Sequence, residues 1–343
     1  MARRLKIAVY SIAKDEQTNV PEYFQSCGDA DYVYVGVNRG DSTGELVEKL
    51  GGKAIWIDDI PFRFDGYRNI VLRSLPHDVD VCVSLDLDER LESGWRKKIE
   101  SAWANGTTRL HYWLQWSEAK RFHYDRIHSR DGYEWRHANH ECVYPIAGTV
   151  ERVAKSDLCV THKRDSKKDR SKNLQLLENA IKEEPDSIRM LWYLAREYYY
   201  ENMYAESISR FKEYLAVGTW QEERCWACIY ISRCLEDKIE AEAYLNMAIR
   251  QAPDLRDGYF ELSSMLYKQN KLKESLAVVN EAVQIHTKKN SFIESNGAYS
   301  AKIYTLKARI HKSLGDSRAA EAAYAKALRI DPCDSEALEA LAQ

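Results

Sequence analysis

The sequence predicts an α/β domain built on a mostly parallel sheet, followed by an all-α solenoid of stacked helix pairs. Three observations predict it. Eleven of the 15 glycines precede Pro185 and four follow it, so a turn-rich half gives way to a helix-rich half. In the first half, short apolar runs alternate with amphipathic segments, the order expected of a parallel sheet with helices packed on it. In the second half the sequence repeats with a period of 34 residues.

The elements of the first half follow in order. Strands are expected at Lys6–Ile12, Tyr32–Val37, Ala54–Ile57, Val79–Leu85 and Arg109–Gln115. Helices are expected between them, near Glu22–Ser26, Gly44–Leu50, Tyr67–Ser74 and Trp95–Trp103. Asp131-Gly132, lying between Phe122–Ile127 and Tyr133–Arg136, is a turn pair that predicts a β-hairpin.

The second half reads as a set of windows. From Ile188, Leu191, Leu194, Ala195 and Tyr198 fall at positions 4, 7, 8 and 11, with Ser207 at 20 and Phe211 at 24. From Glu222, Ala241, Ala248 and Pro253 take positions 20, 27 and 32. A window from Arg256 gives Tyr259, Leu262, Ser263 and Ala282, and one from Ala301 gives Tyr304, Ala308, Gly315, Ala320, Tyr324, Ala327 and Pro332. Small residues let paired helices approach closely and aromatics fill the gaps, which is the tetratricopeptide pattern; four units suffice for a stacked core. Residues after Asp334 predict a capping helix, and an insertion near Thr287–Ser300 separates the third and fourth units. The expected domains are residues 1–165, a linker and helix at 166–187, and the repeats at 188–343.

Composition bounds the function. At 45% hydrophobic and 30% charged the chain is of ordinary globular make-up. A formal net charge of -3 gives no electrostatic case for general nucleic-acid binding. No run approaches the roughly 18 apolar residues of a membrane span. The basic start, soon interrupted by Lys14-Asp15-Glu16, predicts a first strand and not a secretory signal. The eight cysteines share no framework spacing and are expected as reduced thiols of a cytoplasmic protein.

Chemistry concentrates where Val81-Cys-Val-Ser-Leu runs into Asp86-Leu87-Asp88-Glu89. Carboxylates at a strand end must be solvated or neutralised, and hard oxygen ligands suit Mg²⁺ or Mn²⁺. In open α/β sheets ligands gather beyond the carboxyl ends of the strands. A solvated acidic loop capping the next helix would read the same way, and D-x-D alone does not separate the two. Lys14-Asp15-Glu16 and Asn38-Arg39-Gly40-Asp41-Ser42-Thr43 would open on the same edge. Arg68, early in the third helix, would meet a phosphate or form a surface ion pair.

Four stretches together resemble the inverting GT-A-fold (Rossmann-like) glycosyltransferases of family 2, in the branch with C-terminal tetratricopeptide repeats. Ile12-Ala13-Lys14-Asp15-Glu16 matches "I-x-K-N-E" and Asn38-Arg39-Gly40-Asp41-Ser42-Thr43 loosely matches "D-x-G-S-x-D". Phe64-Asp65-Gly66-Tyr67-Arg68-Asn69 matches "F-x-x-A-R-N", and Leu85-Asp86-Leu87-Asp88-Glu89 matches "L-D-x-D-E". The likeness spans about the first 165 residues. Asp15, Asn38 and Thr43 depart from the pattern, which leaves donor preference open. The resemblance implies a metal-dependent transfer of a sugar from a nucleotide-sugar, UDP-linked for preference. Lys14, Glu16, Asn38, Arg68 and Asp86 would bind the donor. Arg68 and a metal would offset charge on the departing diphosphate.

Trp135-Arg-His-Ala-Asn-His140-Glu141 resembles the family's "W-x-x-x-x-H-E" segment, which implies Glu141 as catalytic base on the acceptor side; a structural ion pair is its plain alternative. His162 is the implied third metal ligand beside Asp88 and Asp86, with His140 competing and a buried structural imidazole the alternative. The resemblance implies Asp88 as the direct ligand of the pair, with Asp86 reaching the ribose or a metal-bound water.

Other features carry less. Cys225-Trp-Ala-Cys228 lies on a repeat helix and lacks the further ligands of a zinc site. The basic stretch from Lys163 to Lys172 reads as a solvated linker, though an anionic acceptor, DNA included, stays open. Trp113 and Trp116 either stack on a sugar or base or pack in the core. No P-loop or G-x-G-x-x-G is present, against ATPase and NAD chemistry. A protein or peptide acceptor held by the repeats is the expected partner, with self-association through the repeats a further use of them. The contrasting expectations are a binding or scaffold protein with a degenerate transferase half, and a transferase acting on modified DNA or glycan.

Overall fold

The computed structural model describes residues 4–57, 62–104, 106–117, 120–163, 173–286, 293 and 297–342. The chain divides into two compact units, Met1–Glu183 and Glu184–Gln343. The helix after the linker falls within the first unit.

The first unit carries an eight-stranded sheet in the order β3-β2-β1-β4-β7-β6-β10-β5. Its strands are β1 (Ile7–Ile12), β2 (Tyr32–Asn38), β3 (Lys53–Ile57), β4 (Val81–Ser84), β5 (Glu89–Leu91), β6 (Arg109–Ser117), β7 (Lys120–Ser129) and β10 (Val153–His162). β8 (Tyr133–Arg136) and β9 (Cys142–Pro145) form a separate two-stranded ribbon. The helices are α1 (Val20–Ser26), α2 (Ser42–Lys49), α3 (Phe64–Ser74), α4 (Trp95–Ala102) and α5 (Asn173–Glu183). Parallel pairing joins β1 to β2 and β4, β2 to β3, and β6 to β10, whereas β7 and β5 run against their neighbours. The sheet is thus mixed, with a parallel majority.

Alternation along the strands explains why it is covered on both faces. Ile7, Val9, Val81 and Val83 join one core with Tyr23, Trp95 and Ile99 from α1 and α4. Ala8, Tyr10 and Cys82 join the other with Tyr67, Val71 and Leu72 of α3 and Trp135 of β8. Gly36 makes the second packing close: a Cβ there would lie 2.5 Å from Val71 Cγ2.

The hairpin expected about Asp131-Gly132 is corrected. Gly132 does turn the chain, at φ +90°, but β7 pairs with β6 and β4, and β8 pairs with β9. Local turn chemistry marks the reversal; the longer ladder between β6 and β7 decides the partner. Asn69 ties the displaced ribbon to α3 by two hydrogen bonds with the Trp135 backbone, each 2.8 Å.

The second unit is a run of antiparallel helix pairs: α6 (Ile188–Tyr200) with α7 (Tyr204–Val217), α8 (Gln221–Cys234) with α9 (Lys238–Gln251), α10 (Arg256–Lys268) with α11 (Leu272–Gln284), and α12 (Lys302–Ser313) with α13 (Ser317–Ile330). The capping helix is α14 (Ser335–Leu341). Positions 8 and 20 of the repeat meet: Ser207 Oγ donates to Ala195 O at 3.0 Å, and Ser263 and Ser275 exchange side chain-to-backbone bonds of 3.0 and 2.8 Å. Ala248, Ala282 and Ala327, all at position 27, have no exposed surface. Asp237, Asp316 and Asp334 cap α9, α13 and α14 through their side chains. Among the described residues no helix is long and apolar enough to cross a membrane. The linker at 164–172 and most of the insertion near 287–300 lie outside the described residues.

Candidate functional site

Because β1, β2, β4, β6 and β10 all point one way, the residues that follow them collect along one edge. The chain leaves β1 toward β2 on one side and returns to β4 on the other, and crevices form at such reversals. Past β1 lies Lys14, exposed, then Glu16, whose Oε2 accepts from Asn19 Nδ2 at 2.5 Å. Past β2, Asn38 Nδ2 donates to Tyr67 Oη at 2.8 Å. Asp41 binds two loops together: Oδ1 accepts from Thr43 N at 2.8 Å, capping α2, and Oδ2 accepts from Asp15 N at 2.9 Å. Asp15 sits in the left-handed region at φ 55°.

Past β4 the structure assembles a charge cluster. Arg68, on the first turns of α3, is 2% exposed. Its Nη2 donates to Asp86 Oδ1 at 2.5 Å, its Nε to Glu141 Oε1 at 2.8 Å, and its Nη1 to Ser84 Oγ at 3.2 Å. Arg126 Nη1 donates to the other Asp86 oxygen at 2.8 Å, and its Nη2 lies 3.7 Å from Glu141 Oε1. Both guanidiniums lie over Trp135, at 4.8 and 5.4 Å. Burial raises the Asp86 carboxyl, but Arg68 and then Arg126 outweigh it and hold the group well below the usual carboxylate range. Burial opposes the Arg68 charge, and Asp86 and Glu141 more than offset that. Glu141 Oε2 takes no hydrogen bond among the described residues.

A second pair lies at the ends of β4 and β10. His162 Nε2 is 3.5 Å from Asp88 Oδ2, and its buried Nδ1 has no hydrogen-bond partner among the described residues. Its ring stacks on Trp116, centroids 4.0 Å apart and planes 10° apart, while Trp116 remains 40% exposed. Glu89 accepts the Asp86 amide at 2.9 Å; burial, then the Asp86 charge, push its carboxyl up to about 7.

The site residues named from sequence therefore fall into three groups. Arg68, Asp86 and Glu141 touch; Asp88 and His162 form a separate pair; Lys14, Glu16 and Asn38 line the loops past β1 and β2. His140, at φ 54°, stands in the turn between β8 and β9, next to Glu141 in the chain. Among the described residues no group of three or more His, Cys, Asp or Glu side chains is gathered about one point. Asp88 and His162 still fit a divalent cation, since Mg²⁺ is commonly held by one or two protein ligands with phosphates and water supplying the rest. The orphaned Nδ1 is consistent with an imidazole whose role is not structural alone. Asp86 fits less well, because arginines occupy both its oxygens.

Sequence reasoning missed Arg126. Its signal was an arginine in step with the aromatics Phe122 and Tyr124. Leu110 pairs with Ile127 and Tyr112 with Tyr124, so Asp125 and Arg126 together face His111 in a bulge; Arg126 lies over the Tyr124 ring at 4.8 Å and reaches Asp86. Cys225 and Cys228 are buried on α8, and burial pushes the Cys228 thiol up to about 12, away from redox work.

Comparison with known proteins bears on the repeats. Residues 301–332 match the tetratricopeptide-repeat family. A thermophilic TPR protein of Thermus thermophilus is similar at 21% identity, over 50% of this chain and 89% of that one, with a TM-score of 0.35. YrrB, a TPR protein with an unusual peptide-binding site, is similar at 17% identity over 50% and 84%, TM-score 0.37. PilF of Pseudomonas aeruginosa is similar at 18% identity over 49% and 72%, TM-score 0.38. No curated protein matches the chain. The C-terminal unit thus carries a tetratricopeptide repeat at residues 301–332.

Proposed function

We propose that the first unit is a glycosyltransferase that moves a sugar from a nucleoside-diphosphate donor to an acceptor. The observation that carries the reading is the convergence of Arg68, Arg126, Asp86 and Glu141 beside Asp88 and His162, at the reversal point of the sheet. Glu141 serves as base: Arg68 fixes one oxygen and the other is free to accept the acceptor's proton. Arg68 and Arg126 balance the negative charge that grows on the departing diphosphate, with Asp86 and Trp135 keeping them aligned. Asp88 and His162 would hold a divalent cation, which when bound supplies further charge neutralisation on the diphosphate. Lys14, Glu16 and Asn38 flank the nucleoside side.

The test is thermal stabilisation by UDP with Mn²⁺, then hydrolysis of UDP-, GDP- and TDP-sugars. A shift that Asp88→Ala erases supports the reading. If no donor binds and none is hydrolysed, the reading fails. In that case a binding or scaffold protein, which the repeat match at residues 301–332 favours, takes its place.

A further inference from the structure

One face of the sheet is covered over only part of its width. The core that α3 and Trp135 share with β1, β2, β3 and β4 includes no residue of β6, β7 or β10. On that face, alternation leaves His111 and Trp113 half-buried and Arg121, His123 and Lys155 exposed. Register gathers them: Trp113 pairs with His123 across β6 and β7, Arg121 stands two residues along β7, and Lys155 of β10 pairs with His111.

The His123 ring stacks on Trp113, centroids 3.8 Å apart and planes 28° apart, and the Arg121 guanidinium lies over the same indole at 4.3 Å. His123 makes no other ring contact among the described residues, so an exposed planar ring ends the stack. The side chains of Arg121, His123 and Lys155 make no hydrogen bond or ion pair among the described residues. β6 has no acidic residue; Asp125, the acid of β7, is held by Arg109 at 3.0 Å, and Asp157, the acid of β10, lies 3.6 Å from Lys98. Arg121 and Lys155 are therefore unmatched cations on either side of a fixed aromatic stack.

We propose that this face binds a single strand of nucleic acid, one base continuing the stack on His123 and neighbouring phosphates meeting Arg121 and Lys155. An open planar ring flanked by cations is the combination that holds single strands without regard to sequence. An acidic peptide would use the cations and leave the ring face idle, and a duplex keeps its bases inside the helix. A formal net charge of -3 argues against binding spread over the whole surface, and the patch is local. The proposal does not depend on the transferase reading.

The experiment titrates the full chain, in neutral buffer at low salt, into labelled oligothymidylate of about ten nucleotides, read by fluorescence anisotropy. With two phosphates neutralised, the logarithm of the binding constant should fall with the logarithm of salt at a slope of about -1.4. Arg121→Gln and Lys155→Gln should each bring that slope to about -0.7. His123→Leu keeps the indole covered but offers no planar face, and should weaken binding about tenfold with the slope unchanged. None of the three residues belongs to the Arg68 cluster or the Asp88–His162 pair, so the response to UDP and Mn²⁺ should stay as it is. Failure here is thereby separable from failure of the transferase. No binding, binding indifferent to His123→Leu, or a slope unchanged in both Gln variants overturns the proposal. So does displacement by polyglutamate, a sulfated glycan or duplex DNA as readily as by unlabelled strand.

Discussion

The two units handle buried charge in opposite ways. In the α/β unit, Arg68 and Arg126 are closed off by Asp86 and Glu141, and every guanidinium contact is made within the protein. In the repeat unit, the buried charged residues are the carboxylates Glu197, Glu222 and Asp257, and the Arg196 guanidinium makes no hydrogen bond or ion pair among the described residues. The difference teaches how each would take an anion. A ligand of the first meets arginines already held by carboxylates, so it must share them with Asp86 and Glu141. A ligand of the second would meet a guanidinium whose charge already acts on the Glu223 carboxylate.

The contrast can be broken by removing its parts, from the largest expected effect down. Arg68→Ala strands two carboxylates beside Arg126, one of them buried, and should cost about 3–5 kcal/mol in urea unfolding. A cost under about 1 kcal/mol would show the cluster to be solvated and the contrast false. In the repeats, where packing carries the load, Ala308 has no exposed surface, and Ala308→Leu should cost about 1–3 kcal/mol by overpacking. Differential scanning calorimetry would read it, and a neutral outcome would mean a looser core than the repeat pattern implies.

A third test sharpens the α/β side. His128 Nδ1 must donate to Ser129 O at 2.8 Å, since a carbonyl only accepts; its Nε2 therefore accepts from Tyr10 Oη at 2.8 Å, and Trp135 Nε1 donates to that same hydroxyl at 2.7 Å. Burial pushes His128 down to about 4 from an ordinary 6.5. The unfolded chain thus binds this proton more readily than the folded one. Above pH 6.5 the group contributes nothing to pH dependence, and stability falls as pH drops from 6.5 toward 4. The loss should reach about 1.4 kcal/mol near pH 5.5, and His128→Asn should flatten that part of the stability curve. An unchanged slope would place the proton elsewhere. Smallest is Asp237→Ala, which removes the cap from the Ile239 and Glu240 amides and should cost about 1 kcal/mol. Thermal unfolding by circular dichroism would detect it.

The repeats were legible because each side chain answers to neighbours at fixed spacing: Ala195 and Ser207, twelve residues apart, meet as positions 8 and 20. The parallel core of the sheet was legible for the same reason, from runs such as Ile7–Ile12. What escaped was set by contacts distant in sequence. The β7 ladder overrode a favourable Asp131-Gly132 turn, and the short β5 exists only through pairing with β10. Of the candidate site, Arg68, Asp86 and Glu141 were named together from their motifs. Arg126 was hidden because its partner Asp86 lies 40 residues away in sequence and no motif names the pair.

Asp41 has a consequence for motion. With one oxygen on the Thr43 amide, the other on the Asp15 amide, and Thr43 Oγ1 on the Glu16 amide at 3.0 Å, the loops past β1 and β2 share a single non-covalent rivet. They must open together or not at all, so the amides of Asp15, Glu16 and Thr43 should exchange hydrogen at one common rate, and loosening any one would free the other two.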